Sequence, residues 1–144
     1  MRKFPILRDG VNKDLLGAVR AKVGAFLPEL FDEEDLVQVD DIFSFSFGSA
    51  TIQVSVVPWH SEDVLVKVFS YLAENVDPAR ACASFMRLNA DVPMGSFSMT
   101  FDNSVMFSCS LPGRNLDRSE LLGALQTVAL YSDLYDDILK ERYL

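Results

Sequence analysis

The sequence predicts an α+β fold in which helices pack on an antiparallel sheet, with elements in the order α-β-β-β-α-β-β-α. Two observations carry this. Runs that alternate apolar and polar residues, broken by turn residues, mark strands and hairpins. Three further runs repeat apolar residues at helical spacing, each opened by a capping side chain. With 144 residues the chain reads as a single domain, 1–144. That length buries enough surface to fold without a disulfide or a metal.

Asn12 is a good N-cap for the first helix. Leu15, Leu16, Val19, Val23, Phe26, Leu27 and Leu30 then recur at helical spacing. Pro28 lies inside that pattern and is expected to end the helix near Leu27 or to start a short second turn. The acidic FDEEDLVQVDD that follows reads as a solvated loop. Ile42–Pro58 is the clearest hairpin. With Gly48-Ser49 as a two-residue turn, Phe47 faces Ala50, Phe45 faces Ile52 and Phe43 faces Val54, all apolar and on one face. Glycine in the first turn position suits type II′, so turn chemistry and hydrophobic register agree. In the third strand Val64, Val66 and Val68 form one face, while Leu65, Phe69 and Tyr71 share the other with Lys67. Apolar residues on both sides predict burial on both faces.

Asp77-Pro78 opens a second helix, PARACASFMRLNA, with an N-cap and a proline at the first helical position. Cys82, Phe85, Met86 and Asn89 share one stripe of it. A last helix opens at Asp117-Arg118-Ser119-Glu120, a capping box with Asp in the cap. Its expected buried side is Leu121, Leu122, Leu125, Val128, Ala129, Leu134, Tyr135 and Ile138. Asp133, Asp136, Asp137 and Glu141 mark the wet side. Between these helices, GSFSMTFDNSVMFSCSLPG forms a second hairpin. A loop of Asp102-Asn103 alone would mix phenylalanines and serines on one face. A loop of Asp102-Asn103-Ser104 sets Phe101 against Val105, Met99 against Phe107 and Phe97 against Cys109, a wholly apolar face. Asn103 or Ser104 then supplies the left-handed residue. Cys109 points inward and behaves as a small hydrophobe.

The formal net charge of −8 makes nucleic acid and anionic membranes unsuitable partners and favours basic ones. Two cysteines give no disulfide framework, and no run is long and apolar enough for a signal peptide or a membrane span, so a cytoplasmic protein is expected. No catalytic residue, cofactor or metal site is expected. His60, the single histidine, sits beside Trp59 in a turn and reads as solvated. Gly48-Ser49-Ala50 and Gly95-Ser96-Phe97 lack the second glycine of a nucleophile elbow. Metal-ligand and nucleotide motifs are missing. The Asp133, Asp136, Asp137 and Glu141 face has the spacing to hold a cation or a basic partner, but reads as solvated.

Apolar surface is the stronger signal. If helices cover the Phe43/Val54/Phe101/Phe107 face, the opposite one carries mainly serine and glutamine, with Leu65, Phe69 and Tyr71 projecting among them and Trp59 and Val57 nearby. An apolar patch ringed by polar residues marks a partner-binding surface, here Trp59, Leu65, Phe69 and Tyr71. Cover by Phe4-Pro5-Ile6-Leu7 or by a helix stays open as the alternative.

Leu88-Asn89, Gly95, Phe97, the hairpin ending Leu111-Pro112, Leu116-Asp117 and the long closing helix together resemble the bacterial YbjN-like family, grouped with type III secretion chaperone-like domains. Ser104 departs from that pattern, standing where many relatives carry glycine. The resemblance implies a secretion-chaperone-like fold, a homodimer, and binding of extended client segments on apolar patches. No catalytic residue and no client carry over. The combined expectation is a non-enzymatic protein-binding module, chaperone-like or regulatory, that buries an apolar segment of a partner protein. A small-ligand-binding regulatory domain is the alternative, and an enzyme using His60 a weaker third.

Overall fold

Helix α1 (Lys13–Leu30) starts where the Asn12 side chain accepts from the Leu15 N–H at 3.0 Å. In the computed structural model, which describes residues 3–32 and 34–143, eight further elements follow. They are β1 (Val37–Val39), β2 (Ile42–Phe47), β3 (Ala50–His60), β4 (Asp63–Ala73), α2 (Pro78–Asp91), β5 (Ser96–Met99), β6 (Val105–Pro112) and α3 (Arg118–Tyr143). The strands form one antiparallel sheet in the order β1-β2-β3-β4-β6-β5. The α+β class is as expected, with one strand more.

That strand corrects the reading of the acidic connection as a loop. Val37–Val39 pairs with β2 across the Asp40-Asp41 turn, where Asp40 takes φ 53°. The Val-Gln-Val alternation spans only three residues, too few to stand out from the acidic run around it. Pro28 is a second correction, because α1 continues past it to Leu30. A proline in the last turn removes only one intrahelical bond, and the Phe31 N–H still closes on the Leu27 carbonyl at 2.9 Å.

The β2–β3 register is the expected one, with Phe43 opposite Val54, Phe45 opposite Ile52 and Phe47 opposite Ala50. Gly48 takes φ 58° and Ser49 does not take a positive φ, the pattern of a type II′ turn. Phe47 itself is about half exposed, since it sits at the hairpin tip. Val64, Val66 and Val68 of β4 are fully buried against α1 and α3.

The β5–β6 hairpin keeps the expected faces but not the expected pairs. Phe97 opposes Phe107 and Met99 opposes Val105, two residues away from the predicted register. The three-residue loop is Phe101-Asp102-Asn103, closed by Thr100 N–H to Ser104 O at 2.9 Å and Asn103 N–H to Thr100 O at 3.0 Å. Asn103 takes φ 62°. This loop needs its left-handed residue in third place, and asparagine tolerates that conformation better than serine. Turn chemistry therefore outweighs pairing Phe101, which is left fully exposed. The Asp102 carboxylate accepts from the Thr100 hydroxyl and the Ser104 N–H, which holds its pKa below the usual carboxylate value.

Helix α2 is capped by Asp77, which accepts from the Ala79 N–H at 3.0 Å. Ala81 and Phe85 are its buried residues, with Leu88 packed beside them, while Cys82 and Met86 are exposed. The stripe is thus rotated from the predicted one, because small Ala81 and not Cys82 meets the core. In α3 the capping box is reciprocal. The Glu120 N–H donates to the Asp117 carboxylate at 2.8 Å, and the Asp117 N–H donates to Glu120 at 3.0 Å. The Glu120 backbone and the Ser119 hydroxyl lower the Asp117 pKa. The buried stripe of α3 runs through Leu121, Leu125, Val128, Ser132, Asp136 and Leu139. Leu134 is exposed and Asp136 buried, opposite to expectation. Asp136 is inside because the β2–β3 turn docks there: the Ser49 hydroxyl donates to Asp136 at 2.9 Å and the Ser49 N–H to Asp133 at 3.4 Å. A side chain at Gly48 would press on the Asp133 carboxylate, and the positive φ itself calls for glycine.

Candidate functional site

Helices α1 and α3 cover the Val54/Val66/Val68/Phe107 face of the sheet, and α2 lies along β5. No described helix packs on the opposite face. Register sets its rows. Val57, Leu65 and Pro112 lie side by side, then Ser55, Lys67 and Ser110, then Gln53, Phe69 and Ser108, then Tyr71 and Met106. Trp59 and Tyr71 are 44% and 54% exposed, Leu65 is half-buried, and Phe69 keeps only 8% of its surface. Phe69 is shielded by its neighbours on the same strand. The Lys67 ammonium lies 5.5 Å from the ring centre and Tyr71 meets it edge-on at 6.0 Å.

The four residues do not form one continuous patch. Leu65 and Tyr71 are about 20 Å apart along β4 at the usual strand rise, with the Ser55–Lys67–Ser110 row between them. One end holds Trp59, Val57 and Leu65, and the other Phe69, Tyr71 and Met106. The N-terminal arm does not bury its own apolar side chains, since Phe4, Ile6 and Leu7 are all exposed. It is held at Ser61, whose N–H donates to the Arg8 carbonyl at 2.9 Å.

Sequence reasoning passed over two neighbouring groups. Val37 and Val39 pair with Ser44 and Ile42, so all four face the same side as Leu65 and Tyr71, with Val37 and Val39 well exposed. The Val-Gln-Val alternation was the available signal. Phe101 also lines a cleft with Tyr71, Glu74 and Thr100. Recognising Asn103 as the left-handed residue would have placed it there.

Catalysis gains little support from the rest of the molecule. His60 is buried, not solvated as expected, because its ring packs edge-on against Trp59 at 4.5 Å. Its Nδ1 accepts from the Glu62 N–H at 3.2 Å. The cleft beside it is lined by Glu62, Asp63 and Arg114, none of them a hydroxyl or thiol nucleophile. Asp133 and Asp136 are engaged by the hairpin turn, and the described residues contain no group of His, Cys, Asp and Glu placed to hold a metal ion.

Cys109 is buried, and burial pushes its thiol up to about 11 from an ordinary 9.0. Thiol reagents are expected to modify exposed Cys82 in the native protein and Cys109 only after unfolding. The unfolded chain releases the Cys109 proton first, so stability falls as pH rises from about 9 towards about 11. Urea melts at several alkaline pH values should show this decline, and Cys109→Ala should flatten it.

A family model described as T3SS (YopN, CesT) and YbjN peptide-binding chaperone 1, TY-Chap1, matches residues 18–143. The chain belongs to the TY-Chap1 family. No curated protein matches the sequence. The residues that carry the resemblance have physical roles in this TY-Chap1 member. Asn89 bonds both backbone groups of Phe97, its Oδ1 accepting at 2.7 Å and its Nδ2 donating at 3.0 Å. Gly95 takes φ 85°, and a side chain there would press on the Ser108 carbonyl and the Cys109 sulfur, each 2.8 Å away. Phe97 stacks on Phe85 and meets Phe107 and Tyr135 edge-on. Among the described residues no helix is long and apolar enough to cross a membrane.

Proposed function

We propose that this TY-Chap1 member is a non-enzymatic, chaperone-like protein that binds an apolar segment of a partner protein, acting in the cytoplasm as a homodimer. Trp59, Leu65 and Tyr71 make the contacts, with Phe69 as the floor beneath Tyr71. The observation that carries this reading is that two large aromatic side chains stand exposed on a sheet face that no described helix covers. Tryptophan and tyrosine contribute strongly to binding when a partner desolvates them. The net charge of −8 favours segments that carry basic residues.

A peptide array followed by fluorescence titration tests this, because Trp59 is the single tryptophan. Bound peptide should shift the Trp59 emission. Tyr71→Ala should weaken binding by roughly tenfold or more, equivalent to about 1.4 kcal/mol. Unchanged affinity in both Trp59→Ala and Tyr71→Ala chains, followed by anisotropy of labelled peptide, would sink the assignment. A cleft between α2 and α3, of about 240 Å³ and lined by Ser84, Arg87, Leu88, Asp91 and Tyr135 among others, favours the small-ligand reading instead. A ligand that raises the melting temperature equally in the wild type and in those two variants would support it.

A further inference from the structure

The two edges of the sheet differ. At β5 the outward backbone groups of Phe97 are taken up by the Asn89 side chain, so that edge is closed where α2 packs on it. At β1 no described residue pairs with the outer side of the strand, and Val37, Gln38 and Val39 are all exposed. Val37 and Val39 pair with Ser44 and Ile42 across a two-residue turn, which leaves Gln38 with its N–H and C=O pointing outward. An open edge of this kind is a template for a further strand. Beside it runs a cleft of about 320 Å³, lined by Arg20, Ala21, Gly24, Gln38, Asp41 and Phe43. An added strand would send alternate side chains towards this cleft and towards Val37 and Val39.

Charge decides what fits there. Residues 32–41 hold Asp32, Glu33, Glu34, Asp35, Asp40 and Asp41 and no basic residue. Two β1 strands laid edge to edge would bring these carboxylates together, so self-pairing of β1 is disfavoured. The complement lies in the same chain. Residues 2–8, RKFPILR, carry three basic residues and no acidic one, in a protein of net charge −8. Phe4, Ile6 and Leu7 are 73%, 62% and 60% exposed, so their apolar surface is unspent in the single chain. Pro5 lacks an N–H but is tolerated in an edge strand.

The apolar residues of the arm cannot reach their own β1. Arg8 is tied to Ser61, and Phe4 lies about 14 Å from Arg8 at most. Continuing the β2–β3 register sets Ile42 opposite Ser55, six residues back along β3 from Ser61, or about 20 Å. Strand β1 lies two strand spacings further across, about 10 Å. We propose that the N-terminal arm of one copy adds as a strand to the β1 edge of a second copy, so that two chains exchange arms. This rests on the homodimer of the functional reading and gives it a contact surface. It meets the outer face only at the β1 edge and uses none of Trp59, Leu65, Phe69 and Tyr71.

Sedimentation velocity on the full chain tests it. The wild type should dimerise at low salt and dissociate at least in part at about 1 M salt, where the screening length is about 3 Å. Phe4→Ser/Ile6→Ser and, separately, Val37→Lys/Val39→Lys should each give monomers. All four residues are exposed, so the far-UV spectrum and melting temperature of the monomers should be unchanged. Charge exchange adds a positive readout. Chains with Lys3→Glu/Arg8→Glu and chains with Glu34→Lys/Asp35→Lys should each be monomeric alone and form a heterodimer when mixed. A wild-type monomer at all attainable concentrations would overturn both the exchange and the dimer. A dimer that survives the arm and edge substitutions would overturn the exchange alone.

Discussion

Phe107→Ala should lower stability by about 3–5 kcal/mol, the usual cost of truncating a fully buried phenylalanine. For a chain of this size that is a fall in melting temperature of roughly 10 °C or more. Phe107 has no exposed surface and lies where three layers meet. Its ring is 4.9 Å from Phe97 on the neighbouring strand and 5.0 Å from Tyr131 of α3. Phe97 extends the cluster to Phe85 of α2 at 5.9 Å and to Tyr135 at 5.2 Å. Removing the Phe107 ring therefore leaves a void among aromatic edges that cannot collapse without moving β5, α2 and α3 together. Phe101→Ala supplies the contrast. By the predicted pairing Phe101 sits on the same buried face, whereas the observed register leaves it in solvent, so its truncation should change stability by no more than about 0.5 kcal/mol. Urea melts of the two variants settle the register. Comparable losses would show that Phe101 packs inside after all.

Asn89→Leu should cost about 2–3 kcal/mol, because both backbone groups of Phe97 lose their partner at one stroke while leucine offers no donor or acceptor. The second effect is on association. With Asn89 in place the β5 edge is sealed by a side-chain amide that imitates a strand. Without it the sheet has a second open edge, ending at the exposed Phe101. Light scattering should register concentration-dependent association of the leucine variant at its new edge. A variant as stable as the wild type would show that water serves Phe97 equally well.

Where two independent signals coincide, the fold was readable from residues alone. The β2–β3 hairpin is the case in point: Gly48-Ser49 set the turn, the phenylalanine and valine alternation set the register, and both agree. The second hairpin had only the alternation, which is blind to a shift of two residues because such a shift keeps every side chain on its own face. In α3 an apolar pattern cannot reveal that Asp136 belongs inside, since its burial depends on a turn distant in sequence. In α2 the choice between Ala81 and Cys82 rests on how closely the helix approaches β5. For the candidate site, alternation sufficed to put Leu65, Phe69 and Tyr71 on one face. It also placed Lys67 between them, but gave no means of seeing that Lys67 and Tyr71 hide most of Phe69.

The clamp of Ser49 on Asp136 also sets an order of events in time. The partners are 87 positions apart, and the acceptor lies in the last element of the chain. During synthesis the β2–β3 hairpin leaves the ribosome long before the helix on which its tip rests. Until then Ile52, Val54 and the valines of β4 lack the cover of α3, and an antiparallel sheet with one naked apolar face waits on translation. A protein proposed to shelter the apolar segments of others thus passes through an interval in which its own apolar strands need sheltering.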